Sequence, residues 1–346
     1  MDRPDVTVIV CTYNRAELLR GALLDLVRQE MDGLGSFEVL VIDDGSTDET
    51  GRVVHEVKAA SSTEVRYVHQ DGRGLTEAMN LGVLEARGKW VAFFDDDQRA
   101  QSHWLKELFV VARNRGAMCV AGNRVLTFLD GADPCLGPLA RGILGEQLYS
   151  GDPGALKSRN IRKNIPAGGT FLMARDLFET VGPFSAPLRM YGLDTGGTDS
   201  EYMVRIRRAG HDLWASPASV TCHLIPPYRL GYSYLRWVSL RQGSMFVQMD
   251  WMYRGCAKTT GLGIARLGQV CLITLPRLLM AFLKSDMAAK VDRRVELWRT
   301  FAYIRHFLSI VLPGPFNPER FFVLLEFRAE RDSFGGAEGE KIGGGQ

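Results

Sequence analysis

Two rhythms of apolar residues alternate along the first third of this 346-residue chain. Val6 to Cys11 is a continuous run rich in β-branched residues, whereas Leu18, Leu19, Ala22, Leu23, Leu26 and Val27 recur every three or four positions. The first pattern predicts a buried strand and the second an amphipathic helix. The pair then repeats: Phe37 to Ile42 with a helix over 50–60, and Val65 to Val68 with a helix carrying Leu75, Met79, Leu81 and Val83. Trp90 to Phe94 is the fourth strand, followed by a helix carrying Trp104, Leu105, Leu108, Phe109 and Val111, and Met118 to Leu126 continues the series. Strands without polar alternation are buried on both faces. Strands alternating with helices predict right-handed βαβ units, hence an α/β fold with a doubly wound, mostly parallel sheet flanked by helices.

The rhythm then breaks. Residues 130–166 are rich in Gly, Pro and polar side chains, a length that points to a functional excursion. Gly168 to Ala174 predicts another strand, Gly182, Pro183 and Pro187 mark turns, and Gly192 to Gly197 is a flexible lead into a helix over 199–209. Ser219 to His223 is a further strand, closed by Pro226 and Pro227. The expected organisation is one α/β domain over 1–228, a helical C-terminal region over 229–331 and a Gly-rich disordered tail over 332–346.

Composition narrows the class without naming a function. Apolar residues at 46% and charged residues at 24% are ordinary for a globular protein and exclude collagen-like, wholly disordered and disulfide-scaffold chains. The net charge of +2 hides an uneven distribution, because ten Lys or Arg face three Asp or Glu between Trp251 and Ile310. That segment carries an excess of seven positive charges and the remainder about five negative ones. Cys11, Cys119, Cys135, Cys222, Cys256 and Cys271 show no C-x-x-C spacing, so they are expected to be reduced core residues rather than zinc ligands. Met1 to Asp5 has no signal-peptide pattern, from which a cytoplasmic setting is expected, and no nucleic-acid partner is expected.

The candidate chemistry lies at strand ends. Trp90 to Phe94 runs straight into Asp95, Asp96 and Asp97, three carboxylates that repel one another unless a cation or hydrogen-bond donors neutralise them. In open α/β sheets ligands bind at the carboxyl edge of the strands. The cluster therefore reads as a site for Mg²⁺ or Mn²⁺, hard cations that bridge carboxylates to substrate phosphates. A second acidic cluster, Asp43 to Asp48, ends the strand at 37–42, and parallel strands deliver both to one edge. Asp43 and Asp44 would accept hydrogen bonds from a base and a ribose while Asp95 to Asp97 hold a metal on a diphosphate, which describes a nucleotide-diphosphate pocket. Ser46 or Asp48 is assigned to capping the following helix.

Taken together, Thr12-Tyr13-Asn14-Arg15, Asp43-Asp44-Gly45-Ser46-Thr47-Asp48, Ala78-Met79-Asn80-Leu81-Gly82 and Phe93-Phe94-Asp95-Asp96-Asp97 resemble the family 2 glycosyltransferases with the GT-A fold. The resemblance extends through Gly197-Thr198-Asp199-Ser200-Glu201-Tyr202-Met203-Val204-Arg205, which is similar to that family's acceptor-side segment, and covers roughly residues 5–225. It implies an inverting transfer of a sugar from a nucleotide diphosphate to a hydroxyl acceptor, with DxD-type aspartates on a divalent cation and an acidic residue as base. On that basis Asp95 and Asp97 are the DxD pair. Thr12, Tyr13, Asn14, Arg15, Asp43, Asp44, Asn80, Asp95 and Asp96 would bind the nucleotide sugar, and His223 sits where some members place a further metal ligand. The family's helix motif often carries Arg before Asn80; Met79 stands there instead, so Arg73 is taken as the phosphate contact. Thr198 replaces the usual Glu, and Asp199 keeps the base position.

Physical chemistry favours Asp199 over Glu201 as that base. Two residues apart on a helix, they point about 200° away from each other. Thr198 to Glu201 also fits a capping box, and Glu201 can pair with Arg205 four residues on, so Glu201 has a structural role. Asp199 lies in the first helical turn, where the helix dipole favours the ionised form that a base requires.

Two other functions compete. A sugar nucleotidyltransferase would need a Gly-rich, Arg-containing loop after the first strand, which is missing. A non-catalytic, membrane-associated nucleotide-binding scaffold would bind without turnover. In the C-terminal region, Ile264 to Leu283 is strongly apolar yet contains Arg266, Gln269, Pro276 and Arg277, and no run of eighteen uncharged apolar residues occurs. A conventional transmembrane span is therefore not expected. Helices lying in the membrane interface are, with Arg266, Arg277, Lys284, Lys290, Arg293 and Arg294 attracted to anionic headgroups. A helical cap on the catalytic domain is the alternative. The interfacial reading implies a lipid-linked acceptor and a peripheral position on the inner face of the membrane.

Overall fold

The computed structural model describes residues 3–131, 134–158, 165–166, 168–185, 189–190, 193–194 and 197–316. The expected tail at 332–346 lies outside the described residues, as do half of the lead at 192–197 and parts of the 130–166 excursion. The chain divides into two compact units. The first comprises Met1–Thr127, Gly145–Ser185 and Thr198–Leu224, and the second Phe128–Leu144, Ala186–Gly197 and Ile225–Gln346. The division near Leu224 falls close to the position marked by Pro226 and Pro227.

The first unit opens with β1 (Val6–Thr12), α1 (Ala16–Leu26), β2 (Phe37–Asp43), α2 (Thr50–Ala60), β3 (Glu64–His69), α3 (Leu75–Glu85) and β4 (Trp90–Asp95). β1 pairs in parallel with β2 and β4, and β2 with β3, the βαβ arrangement that the apolar rhythm predicts. Register is level across these strands: Thr12 faces Asp43, Asp43 faces His69 and Cys11 faces Asp95. Both acidic clusters therefore leave the sheet at one edge.

Beyond β4 the sheet becomes mixed. Strands β5 (Gln98–Ala100), β6 (Cys119–Phe128), β7 (Thr170–Ala174) and β8 (Leu213–Ile225) complete the order β3-β2-β1-β4-β7-β6-β8-β5, with Gly154–Ala155 also pairing on β8. β7 runs antiparallel to β4 and β6, and β5 antiparallel to β8. β5 is too short and polar to show in the hydrophobic pattern, yet its register sets His223 opposite Gln98.

Alternate residues of the central strands feed two cores. Val6, Val8 and Val10 pack with Leu19 and Leu23 of α1, Val53 of α2, and Trp104 and Leu108 of α4 (Trp104–Arg115). Ile9, Leu40 and Phe93 pack on the opposite face with Met79 and Val83 of α3 and Tyr202, Met203 and Ile206 of α5 (Thr198–Arg208). Helices cover both faces, as a doubly wound sheet requires. An aromatic chain anchors α5: Phe93 stacks on Phe171 at 5.0 Å and meets Phe184 at 5.3 Å, and Phe184 meets Tyr202 at 4.1 Å.

The second unit is helical, with α6 (Tyr232–Gln269), a π-helical turn over Val270–Thr274, α7 (Leu275–Leu283) and α8 (Met287–Val311). Gly255, at φ 76° and ψ 174°, breaks α6 into two helices. α6 and α8 pack closely where a Cβ at Gly243 would overlap the Arg299 carbonyl. Buried Asp250 accepts from the Tyr303 hydroxyl at 3.0 Å and pairs with Arg254 at 3.0 Å. Asp292 caps the short helix Pro138–Ile143, accepting from Leu139 N at 3.2 Å and Ala140 N at 2.9 Å.

A large apolar surface stays uncovered in this unit. Ile264, Leu272, Leu279 and Leu283 are 62–79% exposed. By length and composition Tyr232–Leu283 is apolar enough to cross a membrane, and 11% of its most apolar stretch is buried. All six cysteines are free, but Cys135, Cys256 and Cys271 are exposed rather than core residues. Two of these, Cys256 and Cys271, lie on the uncovered helices, whose apolar residues have no protein layer to bury them.

Candidate active site

The sequence-predicted site residues all belong to the first unit. Around β1 and β2, two loops fasten one another. Asn14, at φ 50°, takes the Thr47 amide on its side-chain oxygen at 2.7 Å, and its own amide donates to the Ser46 hydroxyl at 2.9 Å. Asp48 accepts from Ala16 N at 3.0 Å and Thr50 N at 3.1 Å, serving the starts of both α1 and α2. Tyr13 and Arg73 are exposed beside these loops in sequence.

Asp43 and Asp44 are both engaged within the protein. Asp43 is 1% exposed and accepts from Ser46 N at 2.9 Å and the Tyr67 hydroxyl at 2.5 Å, with His69 at 3.5 Å. Burial alone would raise its carboxyl pKa, but hydrogen bonds from Ser46, Tyr67 and His69 hold it below the usual range. Asp44 accepts from Gly74 N at 2.9 Å and Gln70 Nε2 at 2.6 Å, closing the turn that carries Arg73. Asn80 donates to the Phe184 carbonyl at 2.9 Å, while its buried side-chain oxygen has no hydrogen-bond partner among the described residues.

At the end of β4 each carboxylate has its own partners. Asp95 Oδ2 accepts from Gln98 Nε2 at 2.8 Å and Gly169 N at 2.9 Å. Asp96 accepts from the Thr12 hydroxyl at 2.9 Å and from Arg15 at 2.9 Å. Asp97 approaches Arg15 at 3.4 Å and His223 Nε2 at 3.5 Å. β5 is what delivers His223: the Asp97 carbonyl accepts from Leu224 N at 2.9 Å, and the β5–β8 ladder continues from there. Burial raises the carboxyl pKa values of Asp95 and Asp96, and the charge of Asp97 raises them further.

These residues suit a divalent cation in chemistry: clustered carboxylates beside an imidazole, an O,O,N set compatible with Mn²⁺. Their spacing is looser than a closed metal cage. Among the described residues the trio of such groups with ligand atoms all within 4.8 Å of one another is Glu30, Asp32 and His103, a surface group in which Asp32 already holds Lys106 at 2.9 Å.

Asp199 stands at the start of α5, partly exposed. Its Oδ2 accepts from Gly168 N, and Oδ1 accepts from Ser200 N at 2.8 Å. Glu201 is 1% exposed and is held by Arg205 Nε at 3.0 Å from each carboxylate oxygen, with the Ser185 hydroxyl at 3.3 Å. The expected capping role of Thr198 needs correcting. Thr198 is the first residue of the helix, and its hydroxyl meets that of Thr76 at 3.1 Å.

Sequence reasoning missed Gln98, Arg124 and the Gly168–Gly169 pair. Arg124 is 6% exposed, donates to the Gly145 carbonyl at 2.5 Å and lowers the Asp95 pKa through its charge. A Cβ at Gly168 would overlap its guanidinium, and one at Gly169 would overlap Asp95. The adjacent glycines were a readable signal; the burial of Arg124 was not.

The family model described as Glycosyl transferase family 2 matches residues 7–182, half of the chain. The chain belongs to glycosyl transferase family 2. This glycosyltransferase is 26% identical to glycosyltransferase AglE of Haloferax volcanii over 225 residues, 65% of this chain and 68% of that protein. It is 35% identical to succinoglycan biosynthesis protein ExoO of Rhizobium meliloti over 129 residues, 37% of this chain and 35% of ExoO. Among solved structures it is similar to the mannosyltransferase PcManGT of Pyrobaculum calidifontis, in complex with GDP-Man and Mn²⁺. The TM-score is 0.59 and the identity 19%, covering 89% of this chain and 88% of that one. TarS 1–349 of S. aureus in complex with UDP-GlcNAc is similar at TM-score 0.51 and 17% identity, covering 89% and 91%. At these identities the structural likeness establishes the GT-A-type fold. Membership sets aside the nucleotidyltransferase alternative.

Proposed function

We propose that this enzyme transfers a sugar, with inversion, from a nucleotide-diphosphate sugar to a hydroxyl acceptor. The observation that carries this reading is the pair of successive amides at Gly168 and Gly169, which hold Asp199 and Asp95 respectively. A base and a cation-binding carboxylate tied to one short loop suit a reaction whose attacking hydroxyl and departing diphosphate lie on opposite sides of one anomeric carbon.

Asp199 accepts the proton of the acceptor hydroxyl as its oxygen bonds to the anomeric carbon. The bond from that carbon to the β-phosphate oxygen breaks, and the nucleoside diphosphate leaves with the electron pair. A divalent cation held by Asp95, Asp97 and His223 would supply charge neutralisation for that diphosphate. Thr12, Tyr13, Asn14, Asp43, Asp44 and Asn80 shape the nucleotide side, and Arg15 and Arg73 face phosphate. GDP-Man and Mn²⁺ bound to PcManGT and UDP-GlcNAc bound to TarS support the donor class.

The exposed apolar face of 264–283 supports a second element: the protein lies on an anionic membrane surface, on its inner face, and takes a lipid-linked acceptor. The uncovered residues bury naturally at the acyl boundary, while Arg277 and Lys284 reach headgroups. Purified protein incubated with a panel of nucleotide sugars should release nucleoside diphosphate with Mn²⁺ and not with chelator. Equal release under both conditions removes the cation from the account, and none with any donor removes the transferase reading.

A further inference from the structure

We propose that Arg124 is the positioning residue for Asp199: its buried guanidinium stands where Gly168 has no side chain and fixes the direction in which the Gly168 amide holds that carboxylate. The proposal rests on the reading of Asp199 as the base and adds what aims it.

Asp199 has two holds of different kinds. Its Oδ1 accepts from Ser200 N at 2.8 Å, an amide of the same helix, whereas its Oδ2 accepts from Gly168 N, in the loop before β7. Among the described residues, Gly168 is therefore what ties this carboxylate to another element. Gly168 sits at φ +76°, and a glycine takes positive and negative φ with about equal ease. Nothing in its own chemistry selects the conformation that points its amide at Asp199, so the selection comes from what packs against it. The Gly168 carbonyl accepts from Thr170 N at 2.9 Å. Against its α-carbon lies Arg124, whose Nη1 occupies the place that a Cβ at Gly168 would take.

Arg124 is itself anchored along its length. Its amide donates to the Gln147 carbonyl at 2.8 Å, its carbonyl accepts from Gln147 N at 2.9 Å, and its Nε donates to the Gly145 carbonyl at 2.5 Å. A Cβ at Gly145 would lie 3.2 Å from Nη2 and 3.2 Å from His223 Nδ1, so two glycines leave the room that the planar fork fills. The residue is 6% exposed. Burying a permanent charge is costly and an apolar side chain would fill the space without that cost, so a rigid, hydrogen-bonded fork is what the position gains. Asp95 depends less on this loop, because Gln98 Nε2 holds it at 2.8 Å alongside Gly169 N. Loss of the fork should then disturb the proton acceptor while leaving donor binding in place.

The full chain is compared as wild type, Arg124→Lys, Asp199→Asn and the double variant. Turnover is read as nucleoside diphosphate released from the donor that wild type selects out of a panel of GDP- and UDP-sugars, and affinity for that donor with Mn²⁺ by calorimetry. Arg124→Lys keeps the charge but not the fork. Its turnover should fall on the order of a hundredfold, the cost of misplacing a reacting group by about 1 Å, with donor affinity near wild type. In the Asp199→Asn background the same substitution should have little further effect, because residues that act as a unit are not additive. Arg124→Met gives the same readout if Arg124→Lys does not fold. Wild-type turnover in a folded Arg124 variant, or an undiminished effect in the Asp199→Asn background, overturns the proposal and leaves the base in place. Wild-type turnover in Asp199→Asn, or no release from any donor by wild type, instead overturns the underlying reading and this proposal with it.

Discussion

Asp95 and Asp199 are held by consecutive backbone amides: Gly169 N donates to Asp95 at 2.9 Å, and Gly168 N donates to Asp199. Consecutive Cα atoms are about 3.8 Å apart, so the spacing of the two carboxylates is governed by the conformation of one dipeptide. Gly168 takes φ +76°, a region that side-chain-bearing residues rarely adopt.

Gly169→Ala should therefore act on catalysis before it acts on folding. Its Cβ would overlap Asp95, and if Asp95 holds the cation as proposed, misplacing it by about 1 Å costs on the order of a hundredfold in rate. Steady-state turnover with the preferred donor, alongside an unchanged far-ultraviolet spectrum, is the expected pair of results.

Glu201→Ala should be a stability variant. Removing it leaves Arg205 without its carboxylate in a partly buried setting, a loss of about 3 kcal/mol or somewhat less given the partial exposure of Arg205. Urea denaturation measures it, and donor affinity per folded molecule should be retained.

Acid should weaken the helical unit through His306, which is fully buried and whose pKa burial lowers to about 3. The unfolded chain binds a proton near pH 6.5 and the folded one only near 3, so the unfolded state takes up more protons as pH falls. Stability is thus retained above about pH 6.5 and lost progressively below it, on the order of 2 kcal/mol by pH 5. A His306→Phe protein that folds should lose less stability than wild type between pH 7 and 5.

Leu272→Glu combined with Leu279→Glu should abolish flotation with anionic liposomes, since both side chains are more than 60% exposed and removing them from the acyl boundary disturbs no core. Wild type should float, more weakly at high salt, because each nearby basic residue contributes only about 1 kcal/mol of screened attraction. Equal flotation of both proteins would return the C-terminal helices to the role of a soluble cap.

The parallel half of the sheet was legible because β1, β2 and β4 are mostly apolar runs, with Thr7 and Glu38 the interior exceptions, and their level register followed from parallel pairing. The antiparallel half was less so. β5 reads Gln-Arg-Ala and becomes a strand only because β8 offers it a partner, so the delivery of His223 to Asp97 could not be read from spacing. The Thr198 hydroxyl found a distant partner in Thr76, which no local capping pattern anticipates. The pairing of Glu201 with Arg205, by contrast, is an i,i+4 contact and was visible in the sequence.

If Asp199 is the proton acceptor while Asp95 and Asp97 serve donor and cation, Asp199→Asn separates turnover from donor affinity more directly than any other variant. Turnover should fall by about two to four powers of ten while calorimetric affinity for the donor with Mn²⁺ stays near wild type. If Asp199→Asn retains turnover and Glu201→Gln, still folded, loses it, the base has been assigned to the wrong carboxylate.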